Sequence, residues 1–286
     1  MNEEIIEALL ESFDYCDGRY KRREVELAVT LREQIVPRLI SVLEDVAADP
    51  APYADGERDL HLYAAALLSY FQEPEAHLPI IAAFTISDEY LEDVWGDLTT
   101  NSLPTFLFQT CNGSFAAIKE LALNTSADDY VRCSAAEALT YAVARGAVES
   151  EEVERFLASL LRVEIAGERG PLWDIVISAL AGIYAEGALD VIKKAFAEGH
   201  AWAGFASLED IEAEFSRDKE EVLERLRERV DRYIPTDVHD YLSWIDDKEE
   251  LPSSIGANTP KAEKKKKQAT RTKSKQAKKS KRKNRK

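Results

Sequence analysis

Residues Ala65–Phe84 read AALLSYFQEPEAHLPIIAAF, and residues Ile177–Phe196 read ISALAGIYAEGALDVIKKAF. Laid over one another without gaps, at an offset of 112, the two segments agree where agreement decides a fold. Leu68 falls on Leu180, Ala76 on Ala188, Ile80 on Ile192 and Phe84 on Phe196, while Phe71 meets the equally apolar Ile183. Each segment is an apolar run at helical spacing, a short break, and a second run. Two more units of this kind lie between them. Phe106–Leu123 places Cys111-Asn112-Gly113 between two helical runs, and Tyr130–Leu161 does so with Arg145-Gly-Ala-Val148. One helical hairpin cannot cover its own apolar face, so neighbours must stack. A recurrence of about 35–45 residues predicts an all-α protein, an α-solenoid of HEAT-like helical hairpins.

The remaining sequence follows the same period. Ile5, Ile6, Leu9, Leu10 and Phe13 form one stripe, and Leu60, Tyr63, Ala64, Leu67, Leu68 and Phe71 another. Val131–Ala144, Val153–Leu161, Trp173–Tyr184, Leu189–Phe196 and Val222–Val230 carry it onward. No alternating run with β-branched enrichment competes. Gly146, Gly187 and Gly199 follow helical runs, Pro74 ends one, and Ser207-Leu-Glu-Asp210 reads as a capping box.

The charge is divided unevenly. The 286 residues hold 37 Lys/Arg and 53 Asp/Glu, a formal net charge of -16. Lys261–Lys286 has 15 bases against the single acid Glu263, which makes +14 and leaves -30 on residues 1–260. We therefore expect an acidic repeat domain over residues 1–250 and a basic tail over 251–286. Nothing large and apolar occurs after Lys261, so composition predicts a disordered tail.

Composition also narrows the function. The opening MNEEIIEALL is acidic where a secretory signal needs a basic start. Leu98–Ile118, the longest stretch free of charged residues, holds Asn101, Ser102, Pro104, Gln109 and Asn112, which argues against membrane insertion. Cys16, Cys111 and Cys133 are an odd number without short spacing, as fits a reducing cytoplasm. Small neighbours mark Cys133 as a core thiol. The four histidines lack metal-ligand spacing, there is no phosphate loop or nucleophile elbow, and no cofactor is expected. The competing enzymatic reading is a small helical metal-dependent hydrolase using carboxylates with His239 or His61, since His239-Asp240 resembles the pair found in metal phosphohydrolases.

Trp95-Gly-Asp97 and Trp202-Ala-Gly-Phe205 lie in or beside turns, which makes Trp95, Asp97, Trp202 and Phe205 the candidate partner-binding residues. The alternative role for these tryptophans is to plug joints between stacked helix pairs. In the tail, Lys264, Lys265, Lys266, Lys267, Arg271, Lys278, Lys279, Lys281, Arg282, Lys283 and Arg285 are the candidate nucleic-acid contacts. Phosphate contacts and counterion release would hold RNA or a ribosome-like polyanion with little sequence selectivity. An anionic membrane surface, the chain's own acidic body, and a plain solubilising role are the other readings of the tail. In a nucleated cell it would also serve as an import signal. Together these features describe a non-enzymatic interaction scaffold for an unidentified protein partner, basic or amphipathic, tethered by its tail.

Several segments together resemble a known family, domain of unknown function 1186. They are Glu11-Ser-Phe-Asp-Tyr15 with Asp17-Gly18, Trp95-Gly-Asp-Leu-Thr-Thr100 and Tyr130-Val-Arg-Cys-Ser-Ala-Ala-Glu-Ala-Leu139. Leu172-Trp-Asp-Ile-Val176 and Gly204-Phe-Ala-Ser-Leu-Glu-Asp-Ile211 continue the series, which spans roughly residues 10–235. The resemblance implies a helical-repeat fold and brings no catalytic residues with it. Many such relatives end in a Cys-rich zinc-binding tail like that of the SecA ATPase. This chain departs there, because no Cys follows Cys133.

Overall fold

The computed structural model describes residues 2–245, and their regular secondary structure is helical throughout. In chain order the helices are α1 (Asn2–Asp14), α2 (Arg22–Thr30), α3 (Arg32–Ala48), α4 (Leu60–Tyr70), α5 (His77–Phe84), α6 (Asp88–Val94), α7 (Leu98–Asn101), α8 (Leu103–Thr110) and α9 (Ala116–Leu123). There follow α10 (Asp129–Ala144), α11 (Ser150–Leu160), α12 (Val163–Ala166), α13 (Pro171–Gly182), α14 (Leu189–Ala197), α15 (Leu208–Phe215), α16 (Lys219–Tyr233) and α17 (Val238–Tyr241). Short polar side chains start many of them. Ser87, Asp128, Asp218 and Asp237 accept backbone N–H bonds in the first turn, and Ser207 with Asp210 forms the expected capping box.

The offset of 112 holds at the level of single hydrogen bonds. A 3-10 turn at Pro74–Ala76 joins α4 to α5, and one at Glu186–Ala188 joins α13 to α14. The amide of Glu73 donates to Leu68 and that of Gln72 to Ser69; Ala185 donates to Leu180 and Tyr184 to Ala181. Gln72 and Tyr184 each take a left-handed φ, 53° and 57°. Both hairpins thus close with the same Schellman turn, and both without glycine.

Stacking proceeds from neighbour to neighbour. Helices α4 and α5 pack on α3, α8 on α4 and α5, α10 on α8 and α9, and α13 on α10 and α11. Six side-chain hydrogen bonds between elements recur at a separation of 33 residues: His61 to Val94, His77 to Thr110, Lys119 to Glu152, Arg132 to Ile165, Ser150 to Ile183 and Tyr184 to Arg217. That step lies just under the expected range. Helix α10 is at the centre, buried without a break from Val131 to Ala136 and again from Ala138 to Ala142. Its Ser134, Ala135, Ala136 and Ala138 let neighbours approach closely, and Cys133 is buried among them as expected.

One feature departs from nearest-neighbour stacking. Helix α16 packs on α10 and α13, and the chain after it returns to the N-terminal end, where α17 packs on α2 and α4. A pure solenoid has no contact of such sequence separation. Among the described residues, no helix is long and apolar enough to cross a membrane.

Candidate functional site

The aromatic candidates occupy two joints, and the two differ. Trp95 ends α6 at 2% exposure, with its ring stacked on Phe84 at 4.0 Å and edge-on to His61 at 5.1 Å. Its indole N–H donates to the carbonyl of Ala83 at 2.7 Å. Every face of this ring is engaged by the protein, so Trp95 plugs the joint and offers no surface to a partner. Its neighbour Asp97 is exposed at the start of α7.

Trp202 is the opposite case, 66% exposed in the loop between α14 and α15. The loop is nonetheless fixed. The Trp202 amide donates to Asp174 Oδ1 at 2.8 Å, and its carbonyl accepts from Phe205 at 2.9 Å. A side chain at Gly204 would meet the indole at 2.6 Å, so the ring lies on that glycine. Burial raises the Asp174 carboxyl above its ordinary range, and the bond from Trp202 opposes the rise. Phe205, in the same turn, is half-buried. Beside it, Trp173 stacks on His200 at 4.6 Å and donates to the Gly167 carbonyl at 3.0 Å, another joint plug.

The histidines are spread over four places. His61 is buried, with Nε2 donating to the Val94 carbonyl at 3.0 Å and Nδ1 unpaired. Burial lowers its pKa to about 4, so the ring is neutral. His77 Nδ1 lies 2.9 Å from Thr110 Oγ1, whose own proton goes to the Phe106 carbonyl; His77 is therefore the donor. Its Nε2 is buried without a partner, and burial lowers its pKa as well. His200 Nδ1 donates to the Glu168 carbonyl at 2.8 Å. His239 Nδ1 shares a hydrogen bond of 2.8 Å with the Tyr20 hydroxyl, and its Nε2 faces Glu26 at 3.3 Å.

The hydrolase reading needs two carboxylates around His239 or His61. His239 meets one, and the ring of His61 bonds a backbone carbonyl. Among the described residues, no group of three or more His, Cys, Asp and Glu side chains is placed to hold a metal ion. Cys16 is exposed, and Cys111 and Cys133 are buried with their thiols pushed up by burial.

Sequence reasoning missed the constellation under the returning C-terminal segment. Ser69 Oγ and the Tyr241 hydroxyl share a buried hydrogen bond of 2.6 Å, and Tyr70 donates to the Thr236 carbonyl at 3.1 Å. Phe106 meets Trp244 at 6.4 Å between ring centres. On α16, Tyr233 stacks on Tyr141, Asp231 pairs with Arg145 at 2.7 Å, and Arg229 faces Glu137, whose carboxyl burial raises. A faint signal existed: Ser69 and His61 interrupt a helix that is otherwise apolar all round. The tail candidates Lys264 to Lys267, Arg271, Lys278, Lys279, Lys281, Arg282, Lys283 and Arg285 lie outside the described residues.

Comparison with known proteins gives a family and two relatives. The family described as "Protein of unknown function (DUF1186)" matches residues 4–247. An uncharacterized protein of Chlamydia trachomatis is 28% identical over 208 residues, which cover 72% of this chain and 82% of the relative. A second uncharacterized protein, from Chlamydia muridarum, is 27% identical over 208 residues, covering 72% and 83%. No solved structure matches the chain at a significant level.

Proposed function

The chain belongs to this family of unknown function, and on that premise we propose that it is a non-enzymatic interaction scaffold working in the cytoplasm. Its acidic helical body, built as a HEAT-like stack, binds a basic or amphipathic protein, and its basic tail tethers it to RNA or a ribosome-like polyanion. The observation that carries the reading is the separation of charge, -30 over residues 1–260 against +14 over residues 261–286. Opposite charge placed on separate segments serves two partners better than a mixture would, because each field steers its own encounter. The recurrence of a 33-residue separation among bonds between elements supports the stacked-hairpin half of the reading.

Trp202 is the residue we assign as protein anchor, with the half-buried Phe205 in the same turn and Asp97 as an acidic contact on another joint. A large ring that is exposed yet immobilised by its own loop gives contact area at small ordering cost. Trp95, which is buried, acts by holding the joint in shape.

The test is RNA binding by the full chain as a function of salt, beside a full chain in which Lys264–Lys267, Lys278, Lys279 and Lys281 are changed to Gln. Binding of the unaltered chain is expected to weaken steeply with salt, and the substituted chain is expected to lose both affinity and slope. No binding by the unaltered chain at low salt would sink the tether. For the anchor, titration with a Lys/Arg-rich peptide should shift Trp fluorescence, and Trp202→Ala should weaken binding by about tenfold.

A further inference from the structure

Residues 234–245, IPTDVHDYLSWI, lie across a groove lined by Tyr20, Ser69, Tyr70 and Phe106. Ile234, Val238, Leu242 and Ile245 pack against the core, as apolar side chains do throughout the fold. The other contacts of the segment are made by hydroxyls and ring edges. Tyr20 shares a bond with His239, Tyr70 donates to the Thr236 carbonyl, and Ser69 shares a bond with Tyr241. Water can serve Tyr20, Ser69 and Tyr70 when the segment is away, because each carries a hydroxyl. A groove of Leu and Val would have no such substitute.

The segment is also a small unit in its own right. Within residues 234–245 the buried side chains are Tyr241 and Leu242. Asp237 caps the turn by accepting from the amides of His239 and Asp240 at 2.8 Å and 3.2 Å, and Ser243 donates back to the Asp240 carbonyl. These bonds stay inside the segment and survive its departure. Pro235 interrupts the helix before it, and Thr236 and Asp237 are exposed. Local stability varies across a fold, and a short unit with few buried side chains opens first.

We propose that residues 234–245 are a detachable clasp, and that the groove beneath them is a docking surface for a protein segment of matching chemistry. That segment carries an Asp-capped turn followed by Tyr and Trp three residues apart, as Asp237, Tyr241 and Trp244 do here. The clasp occupies the groove until such a segment displaces it. This names a surface within the scaffold reading and rests on the chain being a protein-binding module, but it does not depend on the tail or on Trp202.

The experiment uses the full chain, with hydrogen exchange read by mass spectrometry and a fluorescein-labelled peptide IPTDVHDYLSWI as probe. Amides of residues 238–245 should exchange at least about tenfold faster than those of α4 and α10. Tyr241→Ala should speed the clasp by about a further tenfold while α10 changes less than about twofold. The peptide should bind that variant at least about tenfold more tightly than the unaltered chain, whose own clasp competes. Trp244→Ala, which leaves Ser69 its partner, is the second variant and should act in the same direction more weakly. Clasp amides exchanging in step with α4 and α10 would overturn the proposal, as would a peptide that binds variant and unaltered chain alike. Loss of RNA binding, or of the Trp202 effect, would count against the scaffold reading and leave these readouts unmoved.

Discussion

Two hairpins of this protein share a backbone and differ in what covers them. Leu60–Phe84 and Leu172–Phe196 match turn for turn, with the same bonds and the same left-handed residue at position 72 or 184. Their side chains diverge where the C-terminal segments cross. His61 corresponds to Trp173, Ser69 to Ala181 and Tyr70 to Gly182. Ser69 and Tyr70 give hydroxyls to the clasp. At Gly182 the facing group is the Arg229 guanidinium on α16, 3.8 Å from where a side-chain carbon would stand. The turn bonds fix the hairpin, and the covering element selects the residues facing it. Two hairpins of matching backbone thereby present different side chains to the elements that cover them.

The largest expected difference sits at the position where one copy has His61 and the other Trp173. Trp173→Ala removes a buried ring stacked on His200 and leaves the Gly167 carbonyl without its indole donor. The expected loss is about 3–5 kcal/mol. Trp202→Ala, in the loop beside it, should stay within about 0.5 kcal/mol, because its ring faces solvent. Urea denaturation of the two variants measures both. Equal losses would mean that the second copy is not held at this joint.

The first copy should instead show a pH effect that the second lacks. An unfolded imidazole binds a proton below its ordinary 6.5, whereas folded His61 stays neutral down to about 4. Between those values the unfolded state holds the extra proton. Stability is therefore full above about pH 6.5 and is lost as pH falls towards 4, by about 3 kcal/mol from this one group. Denaturation at pH 7 and pH 4 should show His61→Phe less sensitive to acid than the unaltered chain by about that amount. The same acid dependence in both chains would show that His61 is hydrated when folded.

Local pattern explains what could be read beforehand. Helical spacing and the Ser207–Asp210 cap depend on residues close together in sequence, and the offset that aligns Leu68 with Leu180 compares two such local patterns. The clasp has no such local basis. Tyr20 and His239 are 219 residues apart, and Ser69 and Tyr241 are 172 apart. No period links such pairs, and only the closed fold brings them together. The tryptophans show the same limit, since Trp95 and Trp202 stand in similar turn sequences with opposite exposure. The loop at Ala201–Phe205 turns its ring outward onto Gly204, while Trp95 finds Phe84 and the Ala83 carbonyl one helix back.

The smallest difference tests the claim that the turns are equivalent in backbone alone. A non-glycine residue in the left-handed region costs about 1–2 kcal/mol, and glycine relieves most of it against about 0.5–1 kcal/mol of added chain entropy. Gln72→Gly should therefore be neutral or slightly stabilising, by about 0.5 kcal/mol. Tyr184→Gly meets the same backbone relief but also loses a hydroxyl that donates to the Phe215 carbonyl at 2.8 Å and lies 3.2 Å from that of Arg217. Those bonds tie α13 to the turn after α15, so the net change should be a loss of about 1 kcal/mol or more. Opposite signs at positions with matching φ would locate the asymmetry in the side chains. Equal signs would mean that the Tyr184 hydroxyl bonds contribute less than the backbone relief does, and that the two turns are equivalent in side chains as well.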